Sequence, residues 1–83
     1  MINRLYAEIF NHALEAYYFN CENGKNNEAE IKVLNSVTTH LYGIAFCADD
    51  RESMEVLRVL IEKLRTPYLP RPFNIFIKNI AEE

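Results

Sequence analysis

Residues 51–65 read RESMEVLRVLIEKLR, and their spacing decides the fold class. Met54, Leu57, Ile61 and Leu64 recur at steps of three and four, which sets four apolar side chains along one seam of a helix. Beside them Arg51, Glu55, Arg58, Glu62 and Arg65 follow the same kind of steps with alternating sign, so each can pair with a helical neighbour. One face is built for burial and another for water. The expected helix spans 50–65, and Lys63 and Arg65 in its last turn suit the negative end of its dipole.

The preceding segment, 28–48, carries Ile31, Leu34, Val37, Leu41, Ile44 and Ala48 at similar steps. Tyr42, Ala45 and Phe46 widen this apolar surface, so the segment is expected as a central helix buried on two sides. Val37, Thr38, Thr39 and Ile44 are β-branched, and Gly43 lies in the interior; both count against a helix. The alternative is an α+β fold with strands near 41–47 and 73–77. Length and heptad-like spacing favour the helix. Asn27 with Glu30 gives its start, an N-cap with an acid three residues on. Asp49 and Asp50 end it and cap the next helix, with Asp49 and Glu52 at capping-box distance.

Further upstream, residues 2–21 form an amphipathic pattern. Ile2, Leu5, Tyr6, Ile9, Phe10, Ala13, Leu14, Tyr17, Tyr18 and Cys21 recur with helical period, and Arg4, Glu8, Asn11, His12 and Glu15 fill the other side. The stretch NCENGKNN, 20–27, is the turn, with Asn23-Gly24 offering a left-handed conformation. Downstream, TPYLPRPF at 66–73 holds all three prolines and reads as an extended crossing. It leads to a short C-terminal element over 74–82. The expected fold is all-α: one domain over 1–83, a small antiparallel bundle of three long helices plus that element.

Composition sets the broad class. Hydrophobic residues make up 49% and charged residues 25% of the 83, a globular balance. The net charge is −3, and neither half carries a basic excess of the kind nucleic-acid binders show. The longest uncharged run, 33–48, contains Asn35, Ser36, Thr38, Thr39 and His40, too polar to span a bilayer. Two cysteines and no secretory pattern in MINRLYAEIF point to a reducing, cytoplasmic setting.

The inventory for chemistry is thin. His40 and Cys47 are seven residues apart, about 10 Å along a helix, and His12 and Cys21 point to opposite sides, so one zinc ion cannot gather them. A Cys21–Cys47 disulfide is incompatible with a helical hairpin, which separates the two by about 30 Å. Ser36 and Ser53 lack a glycine-flanked elbow, and Ser53 sits where a first-turn serine caps or meets water. Glu30-Ile31-Lys32 has no upstream aspartate to complete a metal pair. Asp49, Asp50 and Glu52 are accounted for by capping and the helix dipole. With only Gly24 and Gly43, there is no phosphate loop. The sequence therefore implies no enzyme, no metal and no cofactor.

Binding to another protein is the class left. Tyr17, Tyr18 and Phe19 fan across about 200° of a helix, more than one buried face can cover, and aromatic side chains anchor interfaces. Tyr68 lies in a Pro-Tyr-Leu-Pro strip that a proline-binding groove would accept. Arg58, Arg65 and Arg71 complete the candidate partner-binding set. The expectation is a small interaction module of inhibitor, antitoxin, immunity or adaptor type that masks or regulates a partner. Two alternatives stand beside it. One is a nucleic-acid-associated regulator using Arg58, Lys63, Arg65 and Arg71, against which Glu55 and Glu62 in the same row argue. The other is a self-associating structural subunit, because a small chain gains core by pairing.

Overall fold

A computed structural model describes residues 2–65 of the chain, as three α-helices in an up-down-up arrangement. Helix α1 spans Arg4–Glu22, α2 spans Asn27–Cys47 and α3 spans Arg51–Lys63. Helix α1 packs on α2, and α2 on α3. The described residues contain no strand, and 41–47, the segment with a possible strand reading, forms about the last two turns of α2. The crossing at 66–73, the element at 74–82 and the second possible strand at 73–77 lie outside the described residues.

Each helix begins on a polar cap, though two of the caps differ from expectation. Asn3 caps α1, its Oδ1 accepting from the Leu5 N–H at 2.9 Å. Helix α2 is capped by Asn26, not Asn27; its Oδ1 accepts from the Ala29 N–H at 3.1 Å. With the cap at Asn26, Ala29 rather than Glu30 lies three residues on, so no capping box forms; Glu30 Oε2 instead accepts from Asn20 Nδ2 at 3.1 Å and ties α2 to α1. Helix α3 is capped by Asp50, not Asp49. Asp50 Oδ1 accepts from the Ser53 N–H at 3.2 Å, so the expected Asp49–Glu52 box is absent.

The two turns share one stereochemical solution. After α1, Gly24 sits at φ +90°, the Lys25 N–H donates to the Asn20 carbonyl and the Gly24 N–H to the Cys21 carbonyl. After α2, Asp49 takes the same place at φ +54°, with Asp50 N–H donating to Ala45 and Asp49 N–H to Phe46. Both are Schellman endings, in which a left-handed residue lets the chain return two bonds to the helix's last carbonyls.

The core is formed by Ile2, Tyr6, Ala7, Phe10, Leu14, Tyr17 and Tyr18 from the first segment. Ile31, Leu34, Leu41 and Ala45 of α2 and Leu57, Leu60 and Leu64 at α3 complete it. The seam of α3 is rotated from the expected one. Ser53, Leu57, Leu60 and Leu64 are buried, whereas Met54 and Ile61 sit half-buried at the edge. Two polar side chains join this core and are satisfied there. Thr38 Oγ1 donates to the Leu34 carbonyl at 2.8 Å, which removes the cost of a hydroxyl in the interior of α2. Ser53 Oγ donates to Asp50 Oδ2 at 2.7 Å and accepts from the Asn3 N–H at 2.8 Å.

Helix α2 is buried along one flank only. Ile44, Phe46 and Val33 are all exposed, so the expected burial on two full sides is corrected to a single arc facing both neighbours. Gly43 lies outside that arc, where a Cβ would meet nothing within 4 Å. None of the described helices is long and apolar enough to cross a membrane.

Candidate partner-binding surface

The ends of α2 and α3 meet at a tight turn, so side chains just before and just after it share a cleft. Tyr42 and Phe46, one turn apart on α2, form one wall. Met54, Glu55 and Arg58 of α3 form the other, and Asp49 and Arg51 close the turn end. Tyr42 and Met54 are half-buried against the core, whereas Phe46 is 64% exposed.

The charges at the rim are arranged in pairs. Arg58 Nη2 lies 3.1 Å from Glu55 Oε2, and Arg51 Nε lies 3.4 Å from Asp49 Oδ1. One turn further along α3, Arg65 Nη2 is 3.5 Å from Glu62 Oε1. All these groups are well exposed, so the pairs hold loosely and can exchange partners in water. An aromatic–methionine floor with arginine at its edge is the side-chain mixture enriched at protein interfaces.

The residues expected to bind a partner fall into different places. Tyr17 and Tyr18 are in the core, their rings 5.3 Å apart at 67° in an edge-to-face contact. Both rings are packed into the core cluster. Phe19 is 65% exposed, at the end of α1 remote from the α2–α3 turn. Arg58 borders the cleft, and Arg65 lies on the same charged row of α3. Tyr68 and Arg71 are outside the described residues. The reading of the sequence missed Phe46, Tyr42 and Met54. Phe46 lies two positions from Ile44 on α2, so the two point to different flanks and one buried arc cannot take both.

Among the described residues, no three His, Cys, Asp or Glu side chains are grouped to hold an ion. Cys21 is a half-buried free thiol and Cys47 an exposed one. Family models, curated proteins and solved structures provide no match to this chain.

Proposed function

We propose that the protein is a small non-catalytic interaction module that masks or regulates a partner protein through the α2–α3 cleft. The observation that carries this reading is Phe46, a large apolar side chain 64% exposed beside the half-buried Tyr42 and Met54. Transferring such a ring from water into a partner's pocket is strongly favourable, and Arg58 and Arg51 at the rim supply orientation. Inhibitors, antitoxins, immunity proteins and adaptors of the cytoplasm all act by such occupation of a surface. Nucleic acid fits less well, since Glu55 and Glu62 lie against Arg58 and Arg65 and offset the charge a phosphate backbone needs.

The test is a tagged pull-down from nuclease-treated host lysate at low and high salt, run beside the Phe46→Ala, Arg58→Ala double variant. A near-stoichiometric protein held by the parent at both salts, and lost by the variant, supports the reading. Equal recovery on parent and variant, or a nucleic acid lost at high salt, refutes it.

A further inference from the structure

A second surface lies on the opposite flank of α2. The Asn20–Glu30 bond fixes the register of the antiparallel α1–α2 pair. Counting back from it at 1.5 Å per residue sets Ala16 level with Val33, Ala13 with Val37, Ile9 with His40 and Leu5 with Ile44. At 100° per residue, Ile9, Ala16 and Leu5 follow Asn20 around α1 on the side away from Phe10 and Leu14. By the same count, Val37, Ile44, Val33 and His40 follow Glu30 around α2, away from Leu34 and Thr38. The two rows therefore border one groove. Ala13 and Val37 form its half-buried floor against the core. Leu5 (59% exposed), Ile9 (38%), Val33 (60%) and Ile44 (44%) form its ridges.

None of these eight side chains carries a formal charge, on a chain in which 25% of residues do. Arg4, Glu8, Glu15 and Glu22 of α1 lie about a third of a turn away around the helix. The ridge spacing on both helices, mostly three and four residues, is that of helices packing at a shallow angle. Helix α3 covers the other side of α2, beside Tyr42 and Phe46. Among the described residues, no helix lies over the groove between α1 and α2.

We propose that this face binds a second copy of the chain, two α1–α2 hairpins meeting about a twofold axis to form a four-helix layer. In an isologous contact each patch meets itself, so any charge near the axis faces its own sign. The uncharged groove lets a chain of net charge −3 make such a contact without that repulsion. A charged partner would find nothing here to pair with, in contrast to the α2–α3 cleft with its arginines and carboxylates. The face measures roughly 20 Å by 20 Å, small against the ~800 Å² per partner of standard interfaces, so the dimer is expected at micromolar concentration. This inference is independent of the proposed use of the cleft.

Sedimentation velocity under reducing conditions, which removes cross-linking through exposed Cys47, tests it. From about 1 µM to about 1 mM, a range that brackets a small interface, the mass should rise from one chain to two. Ile9→Glu and Ile44→Glu should remain monomeric throughout with an unchanged helical circular dichroism signal. Phe46→Glu, on the opposite flank, should dimerise like the parent. Should either isoleucine variant lose helicity, Leu5→Glu and Val33→Glu at the more exposed ridge positions take its place. A parent that stays monomeric, or assembles beyond two copies, overturns the proposal. So does a dimer that survives the groove variants, or one lost on Phe46→Glu alone.

Discussion

The backbone N–H of Asn3 donates to Ser53 Oγ across 2.8 Å and fifty residues of chain. It joins the residue that caps α1 to the first turn of α3, two helices that run in the same direction. Ser53 is fully buried yet satisfied on both sides, since its hydroxyl hydrogen goes to Asp50 Oδ2. Asp50 therefore does two things: one oxygen caps α3 through the Ser53 N–H, and the other aligns the hydroxyl that receives Asn3. The packing of the N-terminal ends thus rests on one short polar relay within an apolar surround.

Removing the middle of that relay should cost more than one hydrogen bond. Ser53→Ala leaves the Asn3 N–H without its acceptor in a part-buried site, for a loss of about 1–3 kcal/mol. Asp50→Ala removes the cap as well, adding about 1 kcal/mol. Because both variants break the same relay, the double variant should be less destabilised than the sum of the single ones. Urea midpoints of the four proteins, at constant m, measure this. Strict additivity would mean that the relay contributes nothing as a unit.

The same substitution should act with opposite sign at the two glycines. Gly43 is helical and exposed with open space at its Cβ position, so Gly43→Ala should stabilise by about 0.5–1 kcal/mol. Gly24 has equal room but sits at φ +90°, so Gly24→Ala should destabilise by about 1 kcal/mol or more. Thermal melts resolve both, since 1 kcal/mol corresponds to about 4–8 °C in a domain of this size.

Asp49 offers the converse experiment. It occupies at φ +54° the place that Gly24 fills in the first turn. Its carboxylate pairs with the exposed Arg51, a contact of little value in water. Asp49→Gly should therefore raise the melting temperature by several degrees, corresponding to about 1 kcal/mol of relieved backbone strain. Asp49→Val should lower it, because a β-branched residue resists this conformation most. If glycine lowered the melting temperature, the turn would depend on the side chain rather than on backbone geometry.

The helices themselves were legible because apolar residues recur every three or four positions over 13–21 residues. Periodicity defines an apolar arc but not its centre. In α3 the arc includes Met54, Val56, Leu57, Leu60, Ile61 and Leu64, and the seam through Met54 and Ile61 fits it as well as the one through Leu60. What turns the helix by about 50° is Ser53, whose burial becomes inexpensive only once Asn3 and Asp50 supply its partners. That contact spans fifty residues, and no local pattern encodes it. The caps were misplaced by one residue for a related reason: Asn26 and Asn27, like Asp49 and Asp50, are adjacent and chemically equivalent. The Schellman turn decides which of each pair is left-handed or extended. Phe46 was hidden because an apolar residue on a mostly apolar helix carries no mark of exposure.

The charged row of α3 should contribute little to stability. Arg58–Glu55 and Arg65–Glu62 are single-contact pairs between well-exposed side chains. Arg58→Ala and Arg65→Ala should each shift the urea midpoint by no more than about 0.5 kcal/mol equivalent, and 1 M salt should erase even that. Arg58→Ala should nevertheless weaken partner capture at the cleft. A large stability loss would show instead that the guanidinium stem packs on Met54 or Tyr42.

Three consecutive aromatics on α1 give the sharpest contrast. Tyr17 and Tyr18 are buried and in edge-to-face contact, so Tyr17→Ala or Tyr18→Ala opens a cavity in the apolar core. The expected loss is about 3–5 kcal/mol, comparable to the whole stability of a domain this small, and helical circular dichroism should fall at 37 °C. Phe19, 65% exposed, loses contact mainly with water on truncation. Phe19→Ala should keep the helical signal and shift stability by no more than about 0.5 kcal/mol. Alanine also has the higher helix propensity, which offsets part of any lost packing. The comparison separates core from surface at neighbouring positions on one helix. If Phe19→Ala unfolded the chain, the ring would be holding the α1–α2 turn; if Tyr18→Ala were neutral, the core would have to close without it.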